Sequence, residues 1–234
     1  MFSIFKREFR AYFTSPLGYV FLAIFYAFSG LFFYIFSLSI GSTDISGVFL
    51  MMFIILMIFV PLLTMRLLSE DKKQKTDQLI LTAPVSLLSI VMGKFLAAYV
   101  IFVIGVAVMP VYGFVMSTFT AISWLPIWGN TVGLLLIGGI FVSVGLFVSS
   151  LTENQMIAAI GSFFVNLMIL LMNTLTSALP SGIFKDVLAS VSVYSRYSEI
   201  TNGIFSLSSL IFFISVIFIF LFLTVRVLEK RRWA

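Results

Sequence analysis

Residues 95–152 run for 58 positions without one Asp, Glu, Lys or Arg. A helical crossing of a bilayer core takes about 20 mainly apolar residues. This run is too long for one crossing, so it must fold back once. Trp124, Pro126 and Trp128 mark the reversal, because tryptophan prefers the headgroup level and proline breaks a helix. The reading gives one span over 90–116 and the next over 128–151. The same reasoning places earlier spans at 18–40 and 48–65, joined by a short loop around Asp44. Later spans fall at 156–179 and 207–225. The expected fold is all-α: a polytopic membrane protein of six transmembrane helices forming one domain over residues 1–234.

Composition supports this class. With 61% hydrophobic residues, 10% charged residues and a mean hydropathy of +1.18, the chain has too little polar surface to cover a soluble globule. It contains no Cys and no His. That removes disulfides, thiolate chemistry, the commonest metal ligand and the commonest general base.

Charge distribution sets the expected orientation. With both termini cytosolic, 12 of the 14 basic residues lie inside and only Lys185 and Arg196 lie outside, as the positive-inside rule requires. Anionic lipid headgroups account for the basic excess, and no nucleic-acid partner is expected. Residues 1–16 do not read as a cleaved signal. Phe2, Phe5, Phe9 and Tyr12 recur on one face with Lys6, Arg7 and Arg10 elsewhere, the pattern of a helix lying in the interface. Ser15-Pro16 then turns the chain into the membrane.

The most polar stretch between spans is 66–89. Asp77 caps a short helix there through Leu79 and Leu81, Pro84 stops it, and Thr82 and Ser86 supply turn chemistry. Lys94 reads as a side chain snorkelling from the end of the third span. A phosphate-binding G-x-x-x-x-G-K followed by Ser or Thr is absent, since Gly93-Lys94 precedes Phe95 and Leu88 stands where the first glycine belongs. The chain therefore does not hydrolyse ATP, and no cofactor is expected to bind it directly.

Within the spans, Ser162, Asn166, Asn173 and Thr176 share one helical face. They either pack helices together or line a translocation path. Gly129, Gly133, Gly138, Gly139, Ser143, Gly145 and Ser149 form a small-residue seam suited to close helix packing. Pro61 and Pro110 are candidate kinks. Segment 180–206 reads as re-entrant or interfacial, and Arg196 and Glu199 have the i,i+3 spacing of a surface ion pair.

Leu63-Thr64-Met65-Arg66, Glu70, Thr76 through Leu79, Leu81 through Val85 and Gly93-Lys94-Phe95 resemble the region between the second and third spans of type-2 ABC exporter permeases. Tyr12-Phe13 with Ser15-Pro16, the run from Ser149 to Gln155, Gly203 to Leu207 and the closing Leu228 to Trp233 extend the resemblance. It is nearest to the permease of the gliding-motility-associated ABC transporter.

The resemblance implies a six-span permease subunit of an ATP-driven exporter in the bacterial cytoplasmic membrane. It implies a dimer, with itself or a related permease, and two cytosolic ABC ATPase subunits that bind the ATP and Mg. An extracytoplasmic accessory protein is a further implied partner. Carried over, Arg66, Glu70, Thr76, Asp77, Leu79, Thr82 and Pro84 form the element that couples to the ATPase, with Glu153 as a secondary contact. Arg196 and Glu199 fall in an extracellular gate. An alternative keeps the ATPase but makes the chain a membrane anchor or force transmitter that passes no cargo.

Overall fold

In a computed structural model, residues 1–41, 44–76, 85–178, 192–201 and 206–232 are described. Among them all the regular structure is helical and there is no strand. Helix α1 spans Phe2–Thr14 and α2 spans Pro16–Phe33, the latter closing in a π-helical turn at Tyr34–Leu38. Helix α3 covers Ser46–Thr64 and α4 covers Arg66–Lys73. There follow α5 (Leu87–Val106), α6 (Met109–Ser117) and α7 (Trp124–Leu151). The last three are α8 (Gln155–Ala178), α9 (Val193–Thr201) and α10 (Leu207–Arg232).

Among the described residues, six helical stretches are long and apolar enough to cross a membrane: Pro16–Leu38, Ser46–Lys73, Leu87–Ser117, Trp124–Leu151, Gln155–Met172 and Leu207–Arg232. Their outward faces carry large apolar side chains, such as Ile160, Phe164 and Met168 on α8 and Ile214, Phe218 and Phe222 on α10. In water those faces would be untenable, so the chain is a membrane-embedded helical bundle.

Helix α7 is the axis of the bundle, packing against α3, α5, α8, α9 and α10. Its small residues permit this. A Cβ on Gly138 would stand 2.1 Å from the Phe102 ring of α5, and one on Gly145 would stand 2.0 Å from Thr64 Oγ1 of α3. Hydrogens at these positions let the backbones approach closely, which is how helices adhere where lipid removes the hydrophobic drive between them.

Local chemistry explains the helix ends. Pro110 lacks an N–H and its ring collides with the carbonyl four residues earlier, so the third span breaks between α5 and α6. Pro61 sits inside α3, which runs on to Thr64 before the break at Met65. The expected turn at Trp124, Pro126 and Trp128 is displaced: all three lie in the first turns of α7 and the reversal occupies 118–123. Pro126 is tolerated because the first turn of a helix has no use for its missing donor. Ser86 caps α5, accepting from the Ser89 amide at 3.3 Å. Asn154 caps α8, its side-chain oxygen accepting from the Met156 amide at 2.9 Å.

Candidate functional site

The polar segment after α3 begins as helix rather than loop. Helix α4 continues the line of α3 after Met65 and buries Leu67, Leu68 and Ser69. A helix start leaves several amide donors unpaired, and α4 is served from another helix. The Ser149 hydroxyl of α7 accepts from the amides of Leu68 and Ser69, both at 3.0 Å, and donates to the Met65 carbonyl at 3.1 Å.

Next to this cap lies a buried charge cluster. Lys94, eight positions into α5, is 1% exposed. Its Nζ stands 3.1 Å from Glu8 Oε1 of α1 and 2.7 Å from Asp71 Oδ2 of α4, and donates to the Leu67 carbonyl at 2.6 Å. Two hydrogen bonds and one further ion pair thus converge on the ammonium. The expectation that Lys94 snorkels to the membrane surface is corrected: the charge turns inward, because two carboxylates converge on it. Glu8 in turn accepts from Arg7 Nε at 3.2 Å and pairs with its Nη2 at 2.5 Å. Burial pushes the Glu8 carboxyl up, but the charge of Lys94 and the hydrogen bonds from Arg7 and Lys94 outweigh it and leave it below its ordinary value.

A second set of contacts joins α1 to the α3–α4 junction. The Tyr12 hydroxyl donates to the Leu63 carbonyl at 2.8 Å, one of the carbonyls orphaned where α3 stops. Burial raises the Tyr12 phenol well above its usual range, so it stays a donor. Arg66 Nη1 donates to Ser15 Oγ at 3.0 Å, its Nε is 3.4 Å from Glu70 Oε2, and its guanidinium lies 5.5 Å from the Tyr12 ring centroid. Thr76 closes the segment, donating to the Asp71 carbonyl at 3.2 Å after Lys75 has turned the chain at φ +57°. Lys72 reaches Glu153 at 3.4 Å across to the α7–α8 turn, and Arg231 of α10 donates to the Ser150 carbonyl at 2.7 Å.

Arg66, Glu70, Thr76 and Glu153 are thus gathered at one end of the bundle around Lys94. Asp77, Leu79, Thr82 and Pro84 lie outside the described residues, as do the expected short helix they would form and most of segment 180–206. At the other end Arg196 Nη1 donates to Ser208 Oγ at 3.2 Å and stacks over Phe212 at 4.8 Å, while Glu199 accepts from Ser209 Oγ at 2.9 Å. Both residues tie α9 to α10. On α8, Ser162 and Asn166 are wholly buried. Ser162 donates to the Ala158 carbonyl at 2.6 Å, and the Asn166 amide has no partner among the described residues. Asn173 and Thr176 lie in the same helix, with side chains outside the described set.

Sequence reasoning missed Glu8, Asp71 and the capping role of Ser149. For Glu8 the signal was present: it falls three residues after Phe5 and four before Tyr12, in the middle of the face that α1 buries. A carboxylate on a packed face requires a cation. Comparison of the chain with protein-family models and with curated proteins finds no match.

Proposed function

We propose that this chain is the membrane-spanning permease subunit of an ATP-driven exporter of the type-2 ABC class, driven by two copies of a separate cytosolic ATPase. The observation that carries the reading is the anchoring of the polar segment 66–76. It is held by Lys94 of α5, by Ser149 of α7 and by Ser15 beside α1. A push delivered to such a segment cannot be absorbed by local bending, and it moves three other elements together. In this reading α1 lies along the cytosolic interface and braces the segment, while residues 77–84 present the docking surface to the ATPase. Dimer closure of the ATPase then rearranges two six-span halves, and cargo passes outward beyond the end bearing Arg196 and Glu199. The resemblance of the 63–95 region to such permeases and the crowding of basic residues at the Lys94 end support the same orientation.

The test is reconstitution with the ATPase subunits in liposomes. Glu70→Gln and Pro84→Ala are expected to abolish permease-stimulated ATP turnover and export while the protein still inserts and dimerises. Unchanged turnover in both variants would sink the reading.

A further inference from the structure

Helix α1 is two-faced, and only its inner face has been assigned a task. Glu8 and Tyr12 point into the bundle. On the opposite side Phe2, Ser3, Lys6, Arg7, Arg10 and Thr14 line an open concavity of about 610 Å³. No carboxylate lines it: Glu8, the one acid of α1, is turned inward, where it pairs with Lys94 and takes up the charge of Arg7. Lys6 and Arg10 are exposed and have no acidic partner among the described residues. The two stand one helical turn apart on the same face, an arrangement in which like charges repel and a bound anion relieves them.

Chain connectivity fixes the depth of this face. Ser15 alone separates α1 from Pro16, the first residue of a membrane-crossing helix, and Gly93 near the start of α5 contacts Ile4 from the inner side. The helix therefore lies at the level where spans begin, which is the headgroup layer. Beside the cations, Met1 and Phe2 are 57% and 72% exposed. Cations next to unburied apolar side chains match the boundary between phosphate and acyl chain better than they match an acidic protein surface.

We infer that the outer face of α1, through Lys6 and Arg10, is a binding site for the phosphate headgroup of an anionic phospholipid. This goes beyond the exporter reading and stands without it. The lipid holds α1 against the membrane from outside while Glu8 and Tyr12 hold it to the bundle from inside.

The test uses the full chain in nanodiscs, with spin-labelled phosphatidylglycerol and phosphatidylcholine reporting relative association. The wild type is expected to prefer phosphatidylglycerol. Lys6→Gln with Arg10→Gln should remove that preference, at about fivefold per residue in low salt, with no change in the unfolding midpoint because both side chains are exposed. Lys230→Gln with Arg232→Gln removes equal charge from α10 and should cost clearly less. Equal losses in the two double variants would mean that net charge alone acts, and the site would fall. Displacement by millimolar inorganic phosphate at constant ionic strength would assign the site to a free anion instead and overturn it. Should the α1 double variant keep its lipid preference but lose co-purifying ATPase subunits, the face docks protein and the inference is wrong.

Discussion

At the Lys94 end of the bundle, elements far apart in sequence are joined by ionised groups withdrawn from water. At the Arg196 end, α9 is held to α10 through serine hydroxyls and to α3 by rings, Tyr197 stacking on Phe53 at 5.1 Å. The chemistries fail differently. A buried ammonium between two carboxylates tolerates few arrangements, since losing one partner leaves an uncompensated charge. Hydroxyls and rings re-pair at modest cost. The first end is suited to moving as a block and the second to shifting by degrees.

The largest expected effect breaks the charged end. Lys94→Met leaves Asp71 without its cation and Glu8 with Arg7 alone, and stability in mixed-micelle denaturation should fall by about 3–5 kcal/mol. Adding Glu8→Gln and Asp71→Asn to that variant should recover much of the loss. A single variant as stable as the wild type would show that the cluster does not hold this end together. Next in size, Tyr12→Phe strands the Leu63 carbonyl where α3 stops and should cost about 1–3 kcal/mol by the same measurement.

Acid titration sharpens the contrast further. Glu8 has a lowered value when folded, so its contribution is complete above the ordinary glutamate value of about 4.3 and is lost as the pH falls through the folded value. Stability from this group should be level from pH 8 to 5 and drop only in stronger acid. The drop should shrink in Glu8→Gln, and a variant with an unchanged acid limb would remove Glu8 from the account. At the other end Arg196→Gln is expected to cost about 1 kcal/mol or less, because that side chain is only partly withdrawn from water. The smallest change belongs to Glu153→Gln, about 0.5 kcal/mol, since its carboxylate is 63% exposed opposite Lys72.

Much of the architecture was legible because lipid imposes a coarse rule: charges are expensive inside it, so their spacing delimits the spans. The glycine seam of α7 could be read for a similar reason, since small residues at helical spacing have few other uses in a membrane. The charge cluster was not legible. Lys94 and Glu8 are 86 positions apart, and no local period connects them. Lys94 near a span end is equally compatible with an exposed amine, and only the packing of α1 decides between the two. On α1 the spacing of Phe5, Phe9 and Tyr12 marks the packed face but not the carboxylate of Glu8 in its middle. Trp124 and Trp128 lie in the first turns of a helix and not at the reversal itself, because interface preference reports depth and not backbone conformation.

The bond set at Ser149 has one more consequence. Its oxygen accepts two amides and donates its only proton, so nothing remains with which to form a graded series of intermediate contacts. If α7 slid along α4 by a single residue, about 1.5 Å, all three bonds would be strained in the same step. The hydroxyl is placed as a detent, resisting axial displacement of either helix against the other.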